Sequence, residues 1–159
     1  MTVTLRAHLI ALLLPTALML GALGSQYIGG LFPCEMCWWQ RYAHISAIAL
    51  ALIAFAAPQG RTRRSAIACA AGGILTSGLI AFFHAGVEYH WWQGFTQCTS
   101  ESSGHTLADI MAAPLIRCDE AQWTFPSGKP YGISLAGFNA LISVTGALYI
   151  FNLLRGATR

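Results

Sequence analysis

Cys34 and Cys37 stand in Pro33-Cys34-Glu35-Met36-Cys37-Trp38-Trp39-Gln40-Arg41, separated by two residues, with an arginine one helical turn beyond the second cysteine. Two thiols at this spacing suit thiol–disulfide exchange, because the second can resolve a mixed disulfide formed at the first. As a structural staple the pair is poor, since so short a ring removes little chain entropy. On a helix, Arg41 shares a face with Cys37. Its guanidinium and the positive N-terminal end of that helix both favour a thiolate at Cys37.

The elements that must hold this pair are membrane helices. The chain has 159 residues, of which 55% are hydrophobic and 9% charged. Soluble domains carry roughly 25% charged residues. Uncharged or nearly uncharged stretches recur at residues 8–29, 38–57, 65–87 and 131–154, each long enough for the ~20 residues that cross a bilayer core. The first is too long for the ~7–15-residue apolar core of a signal peptide and is expected to be retained. The expected fold is therefore an all-α membrane protein, a four-transmembrane-helix bundle forming one domain over residues 1–159. Two loops, 30–37 and 88–130, face outward. A net charge of +3 without a basic block argues against nucleic acid as a partner.

Charge sets the orientation. Arg6, the Arg61/Arg63/Arg64 cluster and Arg155/Arg159 fall on one side of the four-span arrangement, and all six acidic residues on the other. The arginine-rich side is expected to be cytoplasmic, with both termini there. Trp38, Trp39, Tyr42, Tyr89, Trp91, Trp92 and Tyr131 gather at the outer ends, as an interfacial belt does. Ala43, Ala47 and Ala51, and likewise Gly73, Ser77 and Ala81, recur four apart and predict close helix packing.

Placed on this topology, Cys34 and Cys37 lie in the first outward loop and Cys98 and Cys118 in the second. Cys69 lies inside the third span and is given no redox role. Disulfides persist in an oxidising compartment. Three readings stay open for the four outward cysteines: a redox relay, structural disulfides, and a sulfur-ligated zinc site. The relay is favoured, because zinc sites usually repeat the short spacing, and Cys98 and Cys118 are 20 positions apart. No metal is expected. A relay needs an acceptor, and no dinucleotide-binding or haem-attachment motif is present. A lipid-soluble quinone reaching Cys37 is the economical choice, with Arg41 hydrogen-bonded to a quinone carbonyl. Arg41 has a second reading, in which it snorkels to the headgroups.

These features together resemble the DsbB family, the bacterial inner-membrane disulfide-bond formation proteins, whose quinone-linked role in keeping the periplasm oxidising is a general property of that system. The resemblance rests on Pro33-Cys34-x-x-Cys37-x-x-Gln40-Arg41, on Cys98 and Cys118, and on Cys118-Asp119-Glu120-x-x-Trp123-x-Phe125. It also rests on Gly132-Ile133-Ser134-Leu135-Ala136-x-x-Asn139 and His84-Ala85-Gly86-Val87-Glu88. It covers essentially the whole chain. It implies that a Cys98–Cys118 disulfide accepts electrons from a periplasmic thioredoxin-like oxidase of the DsbA type, with Cys98 forming the mixed disulfide. It implies that Cys118 then connects to Cys34, leaving Cys37 as a thiolate against ubiquinone or menaquinone. Arg41 assists, and His84 or His90 fills the family's quinone-linked histidine position. Gln40 stands where some members carry an acidic residue.

In the long loop, Leu107, Ile110, Met111 and Leu115 are spaced for a short amphipathic helix lying on the membrane surface. His44 is expected to pack within the second helix. A different class of function, a membrane assembly or binding subunit with two structural disulfides and no redox turnover, is the alternative.

Overall fold

The computed structural model describes residues 2–94, 117–127 and 132–156. Four long helices make up most of it: α1 (Val3–Tyr27), α2 (Glu35–Ala56), α3 (Arg61–Glu88) and α4 (Leu135–Gly156). A small antiparallel hairpin precedes α4, in which β1 (Thr124–Phe125) pairs with β2 (Ile133–Ser134). Helices α1, α3 and α4 are long and apolar enough to cross a membrane. Helix α2 has 22 residues, and Gln40, Arg41 and His44 dilute its apolar character. The expected surface helix around Leu107–Leu115 lies outside the described residues, as do Cys98 and His105.

Each helix begins and ends for a local reason. In α1 the Thr2 hydroxyl accepts from Leu5 N–H at 3.3 Å. Gly30, at φ 68°, turns the chain out of that helix before Pro33. Pro58 cannot continue α2. The Arg63 guanidinium satisfies the carbonyls left open there, donating to Ala57 O at 2.9 Å and Phe55 O at 3.2 Å. Helix α3 starts at Arg61, four residues before the expected span, because Gly60 at φ 101° reverses the chain immediately ahead of it. The arginine cluster therefore sits in the first turn of α3. Arg64 reaches across to Leu154 O at 2.5 Å and closes the end of α4.

The start of α4 differs from the expected position 131. Residues 133–134 are held extended against β1, and the Ser134 hydroxyl caps the helix by accepting from Gly137 N–H at 3.0 Å. The far end of α3 closes with two reverse bonds, Trp91 N–H to Gly86 O at 2.8 Å and His90 N–H to Val87 O at 3.0 Å. His90 takes the left-handed position, φ 57°, that this helix stop requires.

Helix α3 packs mainly on α2 and α4. The small-residue faces do what their spacing predicts: Ala47, Ala51, Ser77 and Ala81 are buried. A β-carbon at Gly73 would lie 3.1 Å from that of Ala47. The apolar core gathers Ala7, Ala11, Ala47, Ala51, Ala70, Ala71, Ile67, Ile74 and Ile150 at the arginine-rich end. Cys69 is a free thiol exposed on the outside of α3.

Gly86 carries a specific packing demand. A β-carbon there would fall 2.0 Å from the Trp92 ring, whose indole N–H donates to Phe83 O at 2.9 Å. Gly86→Ala is expected to displace Trp92 and cost about 1–3 kcal/mol, the usual range for overpacking. Denaturation in detergent, with tryptophan emission as the local probe, checks this.

Candidate functional site

The Cys34 sulfur is the N-cap of α2: it accepts from Cys37 N–H at 3.3 Å. That geometry turns the two sulfurs toward each other, 2.8 Å apart, and both are free thiols. Both precede Trp38, where the second span is expected to begin. The pair shares one proton unequally. Cys34 is pushed above the ordinary thiol range, first by its hydrogen bond to Cys37 and then by burial; the Cys37 N–H opposes this and is outweighed. Cys37 is held below that range, first by the hydrogen bond from Cys34, with Arg41 adding to the effect. The thiolate therefore belongs on Cys37, as the sequence suggests.

Cys118 comes to the same place from the other loop. It is fully buried and disulfide-bonded; its implied partner Cys98 is not among the described residues. A side-chain clamp holds this segment down. Gln122 Oε1 accepts from Phe32 N–H at 2.9 Å, and Gln122 Nε2 donates to Phe32 O at 2.7 Å. The amide pairs with the backbone as a neighbouring strand would, one residue from Pro33. Cys34, His84 and Cys118 consequently present ligand-type atoms all within 4.8 Å of one another. A cation could use that trio only with Cys118 as a thiolate, and its sulfur is committed to a disulfide. Sulfur exchange between Cys34 and Cys118 fits the arrangement directly.

His84 is buried on α3, with Nε2 3.5 Å from the Cys34 sulfur and 3.7 Å from Glu88 Oε1. Glu88 is in turn hydrogen-bonded by the Ser134 hydroxyl. His84 Nδ1 meets Gln40 Nε2 at 3.0 Å. His90 is exposed at the stop of α3 and does not line the cavity described next. The structure thus brings Cys34, Cys37, Cys118, Arg41 and His84 together and leaves His90 apart.

A cavity of about 260 Å³ opens beside Cys34 and Cys37, bordered by α1, α2 and α4 and by His84 and Glu88 of α3. Its wall is mostly apolar, with Leu18, Met19, Leu135 and Phe138, and Trp123 contributes from the loop. Arg41 lines it and is only 6% exposed. It does not snorkel: it donates to Gln26 Oε1 at 2.6 Å and to Ala22 O at 3.2 Å, and lies 5.0 Å from the Trp38 ring centre. His44 also lines the cavity, and its Nδ1 is a buried atom with no hydrogen-bond partner. Its Nε2 meets Asn139 Oδ1 at 3.0 Å and Ser77 Oγ at 2.9 Å, so it does more than pack.

Gln40, Gln122 and Ser134 were not picked out as site residues from the sequence. For Gln40 a signal existed, because a polar side chain inside an apolar span needs an internal partner. Ser134 stood only within the motif that carries the resemblance, and Gln122 had no signal, since it acts through a loop contact that spacing does not encode.

A family model described as "Disulfide bond formation protein DsbB" matches residues 5–153. No curated protein and no solved structure matches the chain.

The unequal pair has a direct consequence for pH. Because the Cys37 value is lowered, its thiolate persists as pH falls below the ordinary thiol value of ~8.5 and is lost only further down. Cys34 stays protonated throughout that window. In reduced protein, iodoacetamide at pH 7 should modify Cys37 at least about ten-fold faster than Cys34, because the thiolate is the reactive form. Mass mapping of the alkylated peptides reads the ratio, and equal rates would contradict the assignment.

Proposed function

The chain belongs to the DsbB family, and from that premise we propose that it is a membrane thiol:disulfide oxidoreductase linking a periplasmic dithiol oxidase to quinone. In this reading a DsbA-like thioredoxin-fold partner is reoxidised through Cys98 and Cys118. The electrons pass to Cys34 and Cys37 and leave to ubiquinone or menaquinone in the bilayer. The observation that carries it is the convergence of three sulfurs from two loops: Cys34 and Cys37 line an apolar cavity that holds a buried arginine, and Cys118 lies against Cys34. A static staple would not need free thiols facing such a cavity.

The cavity residues fit a quinone ring. Apolar side chains from α1 and α4 can enclose the ring face. The Arg41 guanidinium has five N–H donors, and its bonds to Gln26 and Ala22 fix its plane. The unpartnered Nδ1 of His44 is left for a hydroxyl of the reduced form. A bound quinone supplies a two-electron, two-proton acceptor. The chain's own part is to keep Cys37 as a thiolate, orient Arg41 and exclude water. Each exchange needs an attacking thiolate and an accessible sulfur. His90, exposed at the end of α3, remains a second candidate for a quinone contact beside His84.

The membrane setting follows the same reading. Four spans cross the bacterial inner membrane, both termini are cytoplasmic, and the cysteine loops are periplasmic. The buried arginine supports α2 as a span: inside a bundle it is satisfied by α1, whereas a charged side chain facing lipid is costly.

A quinone-absorbance assay in detergent, with reduced DsbA-type oxidase as electron donor, tests the proposal. Cys37→Ser should abolish quinone reduction, and normal turnover in that variant ends the mechanism. Arg41→Met should raise the KM for quinone about ten-fold or more, the loss of one charged hydrogen bond. The KM for the thiol partner should change much less. Intact disulfides with no quinone reduction by wild type would move an assembly role ahead.

A further inference from the structure

The hydrogen bonds around Gln40 can be given directions, because some of the atoms can act in only one way. Met36 O is a carbonyl oxygen and only accepts. It lies 3.1 Å from Gln40 Nε2, so that end of the side-chain amide is the NH2 group. The same nitrogen meets His84 Nδ1 at 3.0 Å and brings its second hydrogen there. Nδ1 must then present a lone pair. A neutral imidazole carries one proton, so in His84 that proton sits on Nε2.

The far side of the network agrees. Gln40 Oε1 accepts from Asn139 Nδ2 at 2.8 Å. This leaves Asn139 Oδ1 to accept from His44 Nε2 at 3.0 Å and from the Ser143 hydroxyl at 2.7 Å. Turning Gln40 over would set two carbonyl oxygens against each other at Met36 and two NH2 groups against each other at Asn139. The orientation is fixed by satisfaction of the whole set.

Nε2 is the nitrogen that faces the Cys34 sulfur, 3.5 Å away, in the cluster that also contains Cys118. A general base there would need a lone pair, and the network supplies an N–H instead. We propose that His84 acts as a hydrogen-bond donor to sulfur in the exchange between Cys34 and Cys118, held in its Nε2–H form by Gln40. His84 is then a catalytic residue, and Gln40, braced by Asn139, is a positioning residue.

The step it serves conserves electrons. A thiolate of the partner dithiol forms a mixed disulfide with Cys98 as the bond from Cys98 to Cys118 breaks, and Cys118 leaves as a thiolate. That thiolate bonds to the Cys34 sulfur as the Cys34–Cys37 bond breaks, and the electron pair leaves on Cys37. No proton moves and no oxidant is consumed. The N–H of His84 stabilises negative charge at the Cys34–Cys118 junction, while Arg41 stabilises it on the departing Cys37. A donor at the attacking sulfur raises its thiolate fraction by more than it lowers its nucleophilicity, because the Brønsted coefficient is only about 0.4–0.5. In the reverse direction it makes Cys118 the better leaving group.

This inference rests on the relay reading, and the experiment separates the two. Quinone reduction is measured with reduced DsbA-type oxidase and decyl-ubiquinone for wild type, His84→Gln and His84→Asn. A glutamine amide nitrogen can stand near the Nε2 position, and that of asparagine cannot. His84→Asn should lose kcat about ten-fold, the lower end for one hydrogen bond to a charged group, with quinone KM unchanged. His84→Gln should retain most of it. A raised quinone KM with kcat preserved, or equal loss in both variants, overturns the proposal while leaving the relay intact. No turnover in wild type defeats the relay reading and this one together. Nitrogen-15 NMR of labelled histidine reads the tautomer independently of turnover. Wild type should show the proton on Nε2 of His84, and Gln40→Glu, which replaces a donor by an acceptor, should move it to Nδ1. A wild-type proton on Nδ1 refutes the assignment.

Discussion

A polar side chain in a membrane bundle must find its hydrogen bonds inside the protein, because lipid offers none. Gln40 meets this demand for three helices at once. Its amide bonds Met36 in its own helix, His84 in α3 and Asn139 in α4. Asn139 and Ser77 extend the set to His44 and Ser143. Each buried group left without its partner would cost about 1–3 kcal/mol, so the cysteine-bearing half of the bundle has essentially one arrangement. The arginine-rich half is held differently, by alanine and isoleucine packed closely around small residues.

On the cysteine-bearing end the loops converge. Cys34 is placed by its duty as a helix cap, Cys118 by the clamp of Gln122 on Phe32, and Glu88 by the Ser134 hydroxyl that also starts α4. Tyr89 adds a further tie, donating to Gly132 O at 2.9 Å and accepting from Ser134 N–H at 3.1 Å. None of these contacts is itself a redox group. Their effect is to bring sulfurs from two distant loops within a few ångströms, where exchange becomes a matter of small side-chain movements.

Two cationic or N–H donors then divide the sulfur chemistry. Arg41, turned inward and held by α1, acts on Cys37. His84, held by Gln40, lies on the side of Cys34 and Cys118. The pair Cys34–Cys37 stands between them, and its proton rests on Cys34. Charge is thereby favoured on Cys37, the sulfur that Arg41 also favours, and electrons must leave from it if quinone is the acceptor.

Much of this was legible in the chain itself. Long uncharged runs determine three membrane-length helices and the presence of α2, because apolar length and backbone satisfaction are local properties. The spacing of Cys34, Cys37 and Arg41 determines their shared helix end, since one helical turn relates them. Small residues four apart determine the close α2–α3 contact. Other features were decided only by tertiary structure. Whether Arg41 snorkels or turns inward depends on Gln26 and Ala22 of another helix. Which histidine meets the sulfurs depends on α3 stopping at His90, which spends that residue on a backbone turn and leaves His84 facing Cys34. The start of α4 depends on a hairpin pairing that no single segment encodes. The tautomer of His84 depends on an amide in α2 braced from α4. Sequence spacing carries what one helix imposes on itself, and these features arise where side chains from different elements must satisfy one another.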